Sequence, residues 1–322
     1  MFVLVKSPQI TLNILKFNHC RFIRSTAAMA TNSSKDLLDR ALAAVPELTN
    51  ALHKGQSGRI GVIGGSFEYT GAPYFSAISA LRVGADLAHI FCMKDAATAI
   101  KSYSPELIVH PCLDSDDAAT IIEPWLHRLH VIVIGPGMGR DIKILSTVRN
   151  IIQCCRKLNK PLVIDADGLF LLSEDLSIIH GYPGVILTPN IVEFERIFGK
   201  DGTNFEEKIH QIGLGNVTVL EKGFTDRIYS TDKLDDCLQV SGGSNRRCGG
   251  QGDILSGTVA TFYAWTIMNG DPEPAKVACF ASSYFFKECS QRTFKQKGRS
   301  MITGDIISTI HQVFTDLFEK KS

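Results

Sequence analysis

The chain predicts an α/β fold of three layers, αβα, around a mostly parallel, doubly wound sheet. Three observations carry that expectation. From about residue 36 onward, short β-branched or leucine-rich runs alternate with helical stretches. The early runs are continuously apolar, as in strands covered on both faces. Glycine-rich turns follow several of these runs, at the strand ends where open α/β sheets take their ligands.

Residues 59–64 read as the first buried strand, and 72–84, rich in Ala, Ile and Leu with Pro73 near its start, as the helix after it. A strand at 87–92, a short helix at 95–101 and a brief strand at 108–109 follow. Runs 131–134, 162–165 and 185–187 are further strands, separated by helices at 142–157 and 168–173. Beyond 217–220, the segments 227–230 and 237–240 read as antiparallel strands. Helices at 254–268, 274–289 and 302–320 close the series. With 322 residues, 44% hydrophobic and 21% charged, the chain can bury a large core, and no linker-like tract divides it. Residues 36–322 are therefore expected to form one domain.

Residues 1–35 differ in character. They hold Lys6, Lys16, Arg21, Arg24 and Lys35 but no acid, which fits a mitochondrial transit segment. A disordered tail, or an extension ahead of a start at Met29, fits equally, so mitochondrial and cytoplasmic placement both stay open. Nine dispersed cysteines without a C-x-x-C pair read as reduced thiols. The net charge of +1 gives no support for nucleic-acid binding, and no apolar run approaches a membrane span.

Asn245-Arg-Arg-Cys-Gly-Gly-Gln-Gly-Asp-Ile-Leu-Ser-Gly257 is the most telling segment. Glycines at 249, 250 and 252 cannot begin a stable helix, yet 254–268 reads as one. A glycine loop feeding a helix N-terminus binds anions through free N–H groups and the helix dipole. Asp253, at the junction, suits capping or proton removal from a hydroxyl that attacks a held phosphate. Two arginines just upstream favour the phosphate reading.

This segment resembles the ribokinase-like superfamily, and its wording Arg-Cys-Gly-Gly-Gln-Gly-Asp is similar to the NAD(P)H-hydrate dehydratase family. The resemblance extends, in order, to Gly61-Val-Ile-Gly-Gly-Ser66, Tyr69-Thr-Gly-Ala-Pro-Tyr-Phe75 and Gly135-Pro-Gly-Met-Gly-Arg140. Asp165-Ala-Asp-Gly168 and Leu187-Thr-Pro-Asn-Ile-Val-Glu-Phe194 complete it. It implies a ribokinase-like fold and ATP-dependent dehydration of the S epimer of hydrated NADH or NADPH, with ADP and phosphate released. Asp253 is then the base and the loop of Gly249, Gly250, Gln251 and Gly252 the anion hole, with Mg2+ as cofactor.

The resemblance also places the hydrated dinucleotide on Gly137, Asn190, Ile191, Val192, Glu193, Phe194, Glu195, Arg196 and Asp253. ATP falls on Lys222, Gly223, Phe224, Thr225 and Asp226, and on Gly243, Ser244, Asn245, Arg246, Arg247 and Cys248 leading into the loop. Glu193 helps position magnesium. The residues alone leave plainer readings open. The 135–140 glycines suit a tight turn, Asn190 a helix cap, Lys222 to Asp226 a solvated hairpin turn, and the 69–75 aromatics core. Asp165 and Asp167 fit a magnesium–water shell or a ribose, or a structural acid and an N-cap. A ribokinase-like small-molecule kinase is the rival function, and a homo-oligomer is compatible with the chain.

Overall fold

The computed structural model describes residues 20–24, 32–50, 53–213, 215, 217–231 and 237–319. The first described elements are β1 (Cys20–Arg24), α1 (Asn32–Ala44), β2 (Arg59–Ile63), α2 (Gly71–Val83), β3 (Leu87–Cys92), α3 (Lys94–Tyr103) and β4 (Ile108–Pro111). Next come α4 (Ala118–Leu126), β5 (Val131–Ile134), α5 (Ile142–Lys157), β6 (Leu162–Ile164), α6 (Ala166–Glu174), β7 (Val185–Leu187) and α7 (Ile191–Phe198). The rest are α8 (Phe205–Ile212), β8 (Val217–Glu221), β9 (Thr225–Ser230), β10 (Cys237–Ser241), α9 (Gln251–Met268), α10 (Pro274–Lys297) and α11 (Thr303–Phe318).

One sheet runs in the order β1-β10-β9-β8-β7-β6-β5-β2-β3-β4. β2 to β8 pair in parallel, while β9 is antiparallel to both β8 and β10. Successive strand side chains point to opposite faces, so the sheet feeds two cores. Val131 and Val133 join one with α1, α2, α3, α9, α10 and α11; Ile132 and Ile134 join the other with α4 to α8. This is the three-layer arrangement that the continuously apolar runs predict.

The differences from expectation have local causes. α4 contains Pro124, a residue that ordinarily argues against a helix interior. α8 is only eight residues long, although buried Phe205, Ile209 and Ile212 give it a helical stripe. α10 continues past 289 to Lys297, since no proline or glycine stops it before Gly298 at φ +55. β1 and the first residues of α1 fall inside the segment 1–35, whose remaining residues lie outside the described ones. Seven cysteines are free thiols, but Cys237 is disulfide-bonded, so the all-reduced reading does not hold for it. Among the described residues no helix is long and apolar enough to cross a membrane.

The strand order reverses between β2 and β5: β3 and β4 lie outward from β2, and β6 to β8 lie outward from β5. The loops leaving these two strands are locked together. Gly65 N–H donates to Gly137 O at 3.1 Å, and a Cβ on Gly64 would meet Pro136 O at 2.1 Å. Such a reversal opens a crevice at the carboxyl ends of the strands, where this fold class binds ligands.

Candidate active site

α9 begins beside that crevice. Gly250 occupies its N-cap in the left-handed region at φ +92, and a Cβ there would meet the Phe75 ring at 2.7 Å. Asp253 therefore lies inside the first turn, and the capping alternative falls because the N-cap position belongs to Gly250. The loop is braced from behind. The Thr303 hydroxyl donates to Gly249 O, and the Gln251 amide donates to Arg246 O at 3.1 Å. Gly249 itself faces open space: a Cβ at this position would have nothing within 4 Å.

Four charged side chains converge beneath the loop. Asp165, at the end of β6, is buried and pairs with Lys222 Nζ at 2.5 Å. Lys222 lies under Gly252, whose Cβ position is 3.2 Å from Nζ and 4.0 Å from Asp165 Oδ2. Burial works against the lysine's charge, but Asp165, Glu193 and Asp253 outweigh it and raise its pKa. Asp253 is pushed up to about 7, first by burial and then by Asp165 and Glu193, with Lys222 opposing. Burial also raises Glu193. A carboxylate with a pKa near neutrality is matched to general-base work.

Asp165 and Asp167 part company. Asp165 holds the N-cap position of α6 without a side-chain cap bond, and Asp167 is not a cap at all. Instead Asp167 accepts from Gly139 N–H and Arg140 Nε, both at 2.9 Å, and pins the 135–140 loop. Gly137, at φ +60, packs on Tyr69; its Cβ position is 2.6 Å from Tyr69 O. Tyr69 is 59% exposed, so this ring forms a wall of the crevice rather than core, whereas Pro73 is buried.

Asn190 does cap α7. Its Oδ1 accepts from Val192 and Glu193 N–H at 3.0 Å, and Glu193 Oε2 accepts from Asn190 N–H in return. The amide nitrogen has no hydrogen bond among the described residues, so the cap leaves its donors available. Ile191 and Val192 are exposed at the crest, Glu195 is half-buried and Arg196 is exposed. Phe194 turns inward onto Phe198, Phe205 and Tyr229, so its ring belongs to the core.

The turn from Lys222 to Asp226 is tied to the site and to the core. Lys222 N–H donates to Pro189 O, and Asn190 and Lys222 form a parallel bridge. Asp226 is buried, accepting from Gly223 N–H at 2.8 Å and Ser283 at 2.6 Å and pairing with Lys287 at 3.0 Å. Its carboxylate thus shapes the turn, while Phe224 stays exposed and Thr225 bonds Ser241. Gly243 lies over Lys287; Ser244 is buried against Ser290. Asn245 and Arg247 are exposed, Cys248 contacts Thr303, and Arg246 Nε is buried without a partner. Sequence reading missed Lys287, Thr303 and the Asp165–Lys222 pair. Only Lys287 left a signal, as a lone cation in the largely apolar stretch 277–289.

A mostly parallel sheet, a glycine loop at a helix start and an acid in its first turn define a ribokinase-like α/β protein. A ribokinase-like superfamily protein from Enterococcus faecalis superposes with a TM-score of 0.73 at 19% identity, over 95% of this chain and 99% of its own. The chain belongs to the NAD(P)H-hydrate dehydratase family, whose model matches residues 60–312. It is 58% identical to the ATP-dependent (S)-NAD(P)H-hydrate dehydratase of Aedes aegypti, over 94% of this chain and 90% of that one. An ADP/ATP-dependent NAD(P)H-hydrate dehydratase from Bacillus subtilis, co-crystallised with ATP and Mg2+, superposes at 0.65 with 19% identity, covering 87% and 97%.

Proposed function

We propose that the protein uses ATP to dehydrate the S form of hydrated NADH or NADPH, restoring the reduced cofactor with release of ADP and phosphate. The observation that carries this reading is Asp253, poised near neutrality beside an open glycine loop and a lysine. Asp253 removes the proton from the ring hydroxyl of the hydrate, and that oxygen attacks the terminal phosphate of ATP. N–H groups of residues 249–252 and the Lys222 charge meet the transferring phosphoryl group. Arg246 Nε, buried without a partner, gains the acceptor it lacks when a phosphate oxygen arrives. The C–O bond to the new phosphate then breaks, the phosphate taking the electron pair while the ring nitrogen supplies electrons. Loss of a proton from the adjacent ring carbon restores the dihydropyridine.

Among the described residues no group of three or more acidic, His or Cys side chains converges as a metal cage. Glu193, beside Lys222 and Asp253, would be the protein carboxylate for Mg2+ brought in with the phosphates, and the ion would supply neutralisation of phosphate charge. The dinucleotide carboxamide suits the free amide donors of Asn190, and Gly137 with Tyr69 gives the ring an apolar wall. Incubation with ATP, Mg2+ and hydrated NADH tests the reading: dihydronicotinamide absorbance should return together with phosphate. A stable phosphorylated product without that absorbance would make the protein a small-molecule kinase instead.

A further inference from the structure

Among the buried residues of α10, Ser283, Lys287 and Ser290 stand four and three positions apart and share one face. Each holds a segment beside the glycine loop. Lys287 Nζ donates to Gly223 O at 3.0 Å and Phe224 O at 2.9 Å, and pairs with Asp226 Oδ1 at 3.0 Å. An ammonium carries three donors, so none is left for a ligand. Ser283 bonds the other Asp226 oxygen, and Ser290 meets the Ser244 hydroxyl at 2.9 Å. A Cβ on Gly243, at φ +88, would lie 3.6 Å from Lys287 Cγ, and Gly242 N–H donates to Phe224 O at 3.2 Å. The 222–226 turn and the 242–244 segment are thus fastened to one helix and to each other.

This fastening sets the direction of a backbone donor. In a trans peptide the C=O and N–H groups point opposite ways. With Gly223 O turned onto Lys287, the Phe224 N–H points away from α10, and it has no hydrogen bond among the described residues. We propose that Lys287 is a positioning residue for the nucleotide, holding the Phe224 N–H outward for a phosphate oxygen of ATP without itself touching ATP. The inference rests on the proposed use of ATP at this turn and adds a residue that acts from behind it. Burial lowers the Lys287 pKa, with Asp226 opposing, so the lysine stands where its charge is costly. A buried pair of this kind stabilises a fold no better than apolar packing would, so its use here lies in the shape it gives the turn.

The experiment compares wild-type protein with Lys287→Met and with the double variant Lys287→Met, Asp226→Asn. It reads melting temperature, ATP affinity by calorimetry with Mg2+, and KM for ATP and for hydrated NADH. The single variant leaves the Asp226 charge buried without its partner and should melt well below wild type. The double variant removes that charge, and its new amide still accepts from Gly223 N–H and donates to the Ser283 hydroxyl. Its melting temperature should return to within a few degrees of wild type. Its ATP affinity and KM for ATP should stay weaker by about tenfold or more, because two turn carbonyls still lack their donor. KM for hydrated NADH should stay within about twofold, since that ligand is assigned to other elements. A folded variant with wild-type ATP affinity overturns the proposal. So does an equal rise in both KM values, which would make Lys287 a support of the fold alone. Wild-type protein that binds ATP but restores no dihydronicotinamide absorbance fails the dehydratase reading and leaves the ATP titrations to decide the role of Lys287. Wild-type protein that binds no ATP overturns both.

Discussion

A Cβ on Gly135 would meet Asp165 O at 1.9 Å, whereas one on Gly249 would meet nothing within 4 Å. Both glycines belong to runs that precede a helix, and both runs border the crevice. In the first, at φ +121, glycine is required because two loops and a helix start close on one another. In the second, Gly250 answers to packing on Phe75 and Gly252 to Lys222 beneath it, but Gly249 leaves open space. The same residue type serves contact in one loop and vacancy in the other. Sequence separates these uses only in part: the run before α9 reads as an anion loop, while the 135–140 run suits a tight turn as well as a ligand.

The sharpest contrast is chemical. Asp253→Asn should lower kcat by about two to four orders of magnitude, because the amide cannot accept the proton. It should also raise the melting temperature above pH 7. The Asp253 pKa is raised in the folded state from 3.8 to about 7, so its ionisation weakens the fold progressively between those values. Removing that charge relieves the cost. Normal turnover, or a lower melting temperature, would break the assignment.

Gly135→Ala should be the most damaging glycine change to the fold, costing about 3 kcal/mol or more from backbone collision and positive φ, read by denaturant melts. Gly252→Val should do the reverse: stability within about 1 kcal/mol, turnover down about a hundredfold. Its Cβ reaches Lys222 Nζ, a flexible end that can yield but then leaves its place under the loop. If the two variants show matching stability losses, the comparison fails.

Asn190 refines the picture at about 1–3 kcal/mol. Asn190→Asp keeps the Oδ1 cap yet removes the amide donors, so hydrated-cofactor affinity should weaken while stability holds. Asn190→Ala should weaken both, losing about 0.5–2 kcal/mol of helix stability. Tight cofactor binding by Asn190→Asp would confine this residue to capping. The smallest effect is on pH. The acid limb of kcat/KM should lie near pH 7, and Asp165→Asn should move it lower by removing a like charge beside the base. An upward shift would contradict the arrangement.

The layered fold was legible because burial on both faces writes itself into strands as unbroken apolar runs, as in 131–134. The glycine loop ahead of α9 was legible because a glycine cluster before a helical run marks a turn into a helix start. What stayed hidden depends on distance in sequence. Lys222 and Asp165 are 57 residues apart, and only the parallel strand order brings them together. Asn190 shows the converse: its capping box is local and readable, and the free amide beside it emerges only from counting bonds in three dimensions.

Thr303, the first residue of α11, holds the carbonyl of Gly249, and its methyl lies against Gly250. The glycine loop thus leans on a helix that the chain forms after all ten strands of the sheet. Domains begin folding from their N-terminal side while the ribosome is still at work. A nascent chain can therefore build the switch-point crevice and its Tyr69–Gly137 wall well before α11 emerges. Its loop lacks the Thr303 brace until then, so on the proposed reading the growing polypeptide acquires a place for the damaged cofactor before its ATP loop is finished.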